Sequence, residues 1–193
     1  MGQRLSTEIL DFVGEYCPGS LLDKISFIGH SLGGIIARAS LQHLPHFRHK
    51  AHLYISLSSP HLGYKGSKSS LVSAGMWILK TIGGGDSIKQ LSFADAPNIR
   101  DSYLYKLSFS PEISWFQHVI FVGSKQDTYV TYESAILNSE AMSPELRCME
   151  RAILANLSTP VLYKLEACFD SSESRSIDRM IGRDAHIQPI DNE

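Results

Sequence analysis

The sequence predicts an α/β fold, a mostly parallel sheet with flanking helices, on three observations. Helical and strand patterns alternate through roughly the first third of the chain. A glycine-framed serine, Gly29-His30-Ser31-Leu32-Gly33-Gly34, stands where a strand pattern gives way to a helical one. Two further strand patterns, at His118–Gly123 and Val161–Phe169, return after other material. Alternation of this kind implies right-handed crossovers, which lay successive strands parallel.

Each element has its own signal. Ile9, Leu10, Phe12, Val13 and Tyr16 recur at helical spacing over Thr7–Tyr16, and Pro18-Gly19 breaks the pattern. Lys24–Ile28 is short, apolar and rich in Ile and Phe, a buried strand. Ile35–Leu44 is helical in period and stops before Pro45. His52–Ser58 reads as a second buried strand, ended by Ser59-Pro60. Lys68–Ile82 has a helix-like apolar run closed by Gly83-Gly84-Gly85, and Asp86–Leu107 lacks any long period. Residues 64–115 therefore read as a lid or insertion between strands, with a plain crossover helix and long loop as the equal alternative. His118–Gly123 is a strong strand. Ser143-Pro144-Glu145 opens a helix with a cap and a first-turn proline, carrying Leu146, Met149, Ile153, Leu154 and Leu157 on one face. Val161–Phe169 alternates Val161, Tyr163, Leu165, Ala167 and Phe169 against Lys164 and Glu166, a strand with one wetter face. Residues 170–193 are expected to be loop and tail.

Composition removes several classes of function. A length of 193 residues is one domain's worth of chain, taken as 1–193. The formal charge of −2 gives no electrostatic case for nucleic acid. No apolar run approaches a membrane span of roughly 18 residues, and no signal-peptide pattern opens the chain. An intracellular, cytoplasmic setting is the expectation. Cys17, Cys148 and Cys168 are widely spaced with no CxxC, which argues against a disulfide framework and a zinc site. His43, His46, His49 and His52 straddle a helix end, a proline and a strand start, so no metal is expected there either. Met1–Ser6 formally matches an acylation signal but runs into a helix pattern, so any contact with lipid is expected to be peripheral.

The chemistry lies in G-x-S-x-G. A sharp strand-to-helix turn forces Ser31 into a strained backbone with its hydroxyl raised above the sheet. Residues two before and two after are expected to crowd each other, leaving room only for Gly29 and Gly33. The helix after the turn aims its N-terminal dipole and the Leu32 N–H at developing oxyanion charge.

These residues carry a resemblance. F-I-G-H-S-L-G-G-I-I-A-R, followed by S-L-S-S-P-H-L-G and later by I-G-R-D-A-H-I, is similar to the lipase-like serine esterases of the α/β-hydrolase superfamily. The type is the C-terminal domain of the "family with sequence similarity 135" proteins. The resemblance runs from about Lys24 to Asp127 and resumes at Ile181–Ile187. It implies an α/β-hydrolase-like fold, a serine nucleophile, an aspartate after a later strand and a histidine after the last. It implies an ester or lipid as the small-molecule substrate and no cofactor.

Residue chemistry points to the same partners. A serine hydroxyl needs a histidine to accept its proton and a carboxylate to orient that histidine. Asp127 lies four positions past the strand ending at Gly123, and it matches the family's acid position. Of the eight histidines only His186 follows Asp127, and it falls on the family's histidine pattern. His61, at the correct end of a strand, is the fallback base. His30 adjoins the serine and is expected to point aside.

The fold is expected to lack the N-terminal strands and the final helix of a complete domain. Only 23 residues precede Lys24, so the loop that supplies a second oxyanion N–H in the family has no source there. Two classes of function are compatible with this pattern. One is a serine hydrolase acting on carboxylic esters, with lipid esters the expected class, through Ser31, Asp127 and His186, the chain as written being expected to turn esters over barely above background. The other is a non-catalytic remnant or interaction domain that keeps the hydrolase fold.

Overall fold

The structure is a computed structural model that describes residues 1–19, 21–64, 85–140, 142–157, 160–169 and 186. Helix α1 spans Gly2–Tyr16, strand β1 Ile25–His30, helix α2 Leu32–Leu41 and strand β2 Ala51–Leu57. Short helices α3 (Gly85–Leu91) and α4 (Tyr103–Ser108) lead to strand β3 (His118–Gly123). Helix α5 (Tyr132–Ile136), helix α6 (Pro144–Asn156) and strand β4 (Val161–Glu166) complete the described elements. The helix pattern at Lys68–Ile82 and the loop pattern beyond residue 170 lie outside the described residues, His186 excepted.

The four strands form one sheet in the order β1-β2-β3-β4, every pair parallel. With helices beside it, this is an α/β-hydrolase-like architecture. Register aligns Phe27 with Tyr54, Tyr54 with Val119 and Val119 with Leu162, so these side chains share a face. That face is the core. Tyr54, Val119 and Phe121 have no exposure, and Phe116 packs edge-on to Phe27 and against Tyr54. Helices α2 and α5 cover it, while α6 contributes Leu146, Met149 and Ile153 to the same cluster. Leu91, Leu104, Leu107 and Ile113 are buried there too.

Two helix starts and the facing of one strand differ from the sequence expectation, each for a physical reason. Helix α1 starts at Gly2, ahead of Thr7, because its buried residues Gly2 and Ser6 are small and lie against α2. A Cβ at Gly2 would come within 2.7 Å of the Ala39 carbonyl carbon, a close approach that an apolar period cannot reveal. Helix α2 starts at Leu32, ahead of Ile35, because the glycine pair continues the helix. In β4 the alternation has the reverse sense: Val161, Tyr163 and Leu165 are 45–49 % exposed, and Leu162 packs against the core. They share the second sheet face with Ile28, which is 69 % exposed, and no described helix covers that side of β1 and β4. Ser143 does stand at the N-cap of α6, but its hydroxyl makes no capping bond and is buried without a partner. Among the described residues no helix is long and apolar enough to cross a membrane.

Ile153, 1 % exposed, anchors α6 to the core, whereas Arg151 on the same helix faces solvent. Ile153→Ala is expected to lower unfolding free energy by about 2–5 kcal/mol, and Arg151→Ala by no more than about 0.5, in urea titrations.

Candidate active site

Strand β1 delivers Ser31 at the C-terminal edge of the sheet. The Ser31 N–H still donates to the Leu57 carbonyl (2.8 Å), continuing the β1–β2 ladder, and the next residue is already helical. The chain turns by placing Ser31 at φ 53°, ψ −126°, a conformation unfavourable for a residue with a Cβ. Ser31 is the N-cap of α2, yet its hydroxyl makes no capping bond and stays available for another partner.

The glycines serve this turn, though not all as expected. A Cβ on Gly29 would meet the Gly34 Cα and N at 2.5 Å and the Gly33 carbonyl carbon at 2.8 Å. A Cβ on Gly33 would meet nothing within 4 Å. The crowding expected at Gly33 falls on Gly34, where a Cβ would lie 2.3 Å from Ser59 Oγ and 2.8 Å from Ser56 Oγ. The reason is helical phase: Gly34, one residue further into α2, is the position that faces back onto β1 and β2. The Leu32 N–H occupies the first position of α2, where intrahelical acceptors do not reach.

Ser31, Asp127 and His186 come together. His186 Nε2 lies 3.0 Å from Ser31 Oγ, and His186 Nδ1 lies 2.7 Å from Asp127 Oδ2. All three residues are buried, the Asp127 and His186 side chains to 1 % exposure. The other carboxylate oxygen, Asp127 Oδ1, accepts the N–H groups of Tyr129 (2.8 Å) and Val130 (3.0 Å). Two backbone donors and an imidazole thus compensate a desolvated carboxylate and fix its plane. His30 does not point aside: its Nε2 lies 2.6 Å from the His186 carbonyl oxygen, and burial holds its pKa below the ordinary histidine value. A family model described as Putative serine esterase (DUF676) matches residues 1–142, a span that contains Ser31 and Asp127.

The chain belongs to that family.

In this serine esterase family member, His61 is not beside Ser31. It is completely buried, with Nδ1 3.1 Å from Arg38 Nη1 and Nε2 2.7 Å from Ser56 Oγ. A guanidinium can only donate, so His61 Nδ1 accepts and its Nε2–H donates to Ser56. Arg38 Nη2 donates to the Leu107 carbonyl at 3.1 Å, and the Tyr54 hydroxyl donates to the Gly34 carbonyl at 2.7 Å. This network joins α2, β2, the segment after β2 and α4 around the elbow. Burial, reinforced by the Arg38 charge, drives the His61 pKa well below its ordinary value, and burial lowers that of Arg38. The sequence reading missed Arg38. Its signal was a lone charge in the apolar row Ile35, Ala37, Ala39 and Leu41 of a helix that is buried almost all round.

This packing sets two expected outcomes. Gly29→Ala is expected to destabilise the fold by about 1–3 kcal/mol, whereas Gly33→Ala, with open space and better helix propensity, is neutral or stabilising by up to about 1 kcal/mol in denaturant melts. The second concerns pH. Because the folded-state pKa of His61 is depressed, its stabilisation is complete above the unfolded value of about 6.5 and is lost as pH falls toward the folded value. Stability below about pH 6.5 is expected to drop by up to about 1.4 kcal/mol per pH unit from this proton, and the slope should fall by that amount in His61→Gln.

Proposed function

We propose that this protein is a serine hydrolase of carboxylic esters, in which Ser31 is the nucleophile, His186 the general base and acid, and Asp127 the orienting carboxylate. The observation that carries the reading is the unbroken hydrogen-bonded chain from Ser31 Oγ through His186 to Asp127, with the Asp127 plane fixed by Tyr129 and Val130 N–H groups. Ser31 Oγ attacks the ester carbonyl carbon while His186 Nε2 takes its proton. The Asp127 carboxylate, accepting from His186 Nδ1–H, stabilises the resulting imidazolium. The carbonyl oxygen becomes an oxyanion, which the Leu32 N–H and the α2 dipole stabilise. Collapse breaks the bond to the alkoxy oxygen, which leaves with the proton from His186, and the acyl group remains on Ser31. Water, deprotonated by the same imidazole, attacks the acyl carbon and returns the hydroxyl to Ser31.

The apolar part of a cavity next to Leu32 supports an acyl chain as the group bound. A cavity of about 490 Å³ runs beside α2, lined by the apolar Leu32, Ile35, Ile36, Ala39, Leu91 and Leu104 and also by Gln3, His43, Asp86, Ser87 and Gln90, while Ser31, Asp127 and His186 are not on its wall. Leu32 joins it to the elbow. Burying methylenes against such a wall contributes about 0.8 kcal/mol each.

The test is covalent labelling by a fluorophosphonate probe, with hydrolysis of p-nitrophenyl esters of increasing acyl length. Ser31 is expected to be phosphonylated, Ser31→Ala to abolish labelling, and Asp127→Asn to slow turnover on the order of 10⁴-fold. Octanoate is expected to be preferred over acetate. Labelling at another serine would overturn the assignment, and a chain that neither labels nor turns over would support the non-catalytic alternative.

A further inference from the structure

His186 follows the end of β4 by 20 positions. Both ring nitrogens are committed, one to Asp127 and one to Ser31. Beyond those two bonds, other described residues meet His186 at its backbone and on the faces of its ring. One backbone contact comes from His30. Its Nε2 lies 2.6 Å from the His186 carbonyl oxygen, and because a carbonyl only accepts, that nitrogen carries a proton and donates. The two rings lie 4.7 Å apart at 48°, and the Tyr129 ring also packs on His186, at 5.4 Å.

His30 is unusually well placed for this task. It is the last residue of β1 and is bonded covalently to Ser31, so its backbone moves with the elbow. It is half-buried, which shields the bond to His186 from competition by water.

We infer that His30 is a positioning residue: by donating Nε2–H to the His186 carbonyl it ties His186 to the elbow and sets the imidazole at working distance from Ser31. The inference rests on the reading of Ser31 and His186 as nucleophile and base. The first variable position of G-x-S-x-G then has a stated requirement, a side chain that offers an N–H donor at imidazole reach. Either protonation state of His30 meets it, since Nε2 carries hydrogen in both the neutral tautomer that makes this bond and the cation.

Two variants separate docking from packing. His30→Phe keeps a ring against His186 without a donor, and His30→Gln supplies an amide N–H. The readout that does not need catalysis is the low-field proton resonance of His186 Nδ1–H in its bond to Asp127, assigned by its loss in His186→Ala. It is expected to broaden or vanish in His30→Phe and to persist in His30→Gln. Phosphonylation of Ser31 is expected to slow by about ten- to a hundredfold in His30→Phe, as a misplacement of about 1 Å would do, and to recover to within about threefold in His30→Gln. Ester turnover should lose kcat with KM unchanged.

An unaltered resonance and labelling rate in His30→Phe would overturn the inference, as would equal impairment of both variants, which would make His30 a packing residue. The wild-type chain gives a check free of any folding defect in a variant. Nitrogen chemical shifts should report Nε2 as the protonated nitrogen of neutral His30, and the opposite tautomer would remove the proposed bond. A resonance that responds to His30→Phe in a chain whose Ser31 never labels would retain the docking and reject the nucleophile.

Discussion

Ser31 holds a left-handed backbone because Gly29 and Gly34 touch behind it, and the rest of the site is arranged around that contact. A strained φ is tolerated only where the surroundings over-determine it. Here β1 pairing fixes the chain before the turn, the Ser31 N–H bond to Leu57 fixes the turn itself, and α2 fixes the residues beyond it. The buried set of Arg38, His61, Ser56 and Tyr54 then ties α2 to β2. An arginine buried without a carboxylate partner among the described residues would be costly alone. It is accommodated because His61 stays neutral and accepts from it, and because the Leu107 carbonyl accepts a second N–H.

The parallel sheet makes distant positions neighbours. Ser31 follows β1 and Asp127 follows β3, so parallel pairing sends both to the same edge. Burial of the trio places the Asp127–His186 pair in a medium where charge interactions are strong and unsatisfied groups are expensive. Asp127 meets that demand with an Asx-type turn: its own side chain captures the N–H groups of Tyr129 and Val130 and so shapes the loop that carries it.

Much of this was legible in the residues, and the parts that were not have identifiable causes. The apolar runs that became β1, β2 and β3 are short, β-branched and aromatic, so strand identity followed directly. The elbow was legible because only a tight turn needs that density of glycine. The Gly2 start of α1 and the role of Gly34 were not, since both depend on a backbone approaching from elsewhere in the chain. The sense of β4 was misread because alternation identifies two faces but not which one meets the core. Arg38 escaped notice and the part His30 plays was not foreseen for a shared reason: each makes its bond to a residue distant in sequence, His30 across 156 positions.

That separation has a kinetic side. Every pairing in a parallel sheet is non-local, and topologies of this sort fold slowly. During synthesis at roughly 5–20 residues per second, the 155 positions between Ser31 and His186 take on the order of ten seconds to emerge. Throughout that interval the serine has no His186 to accept its proton and is an ordinary alcohol. On the proposed roles, synthesis order alone keeps the hydroxyl from its base until the chain through His186 has been made.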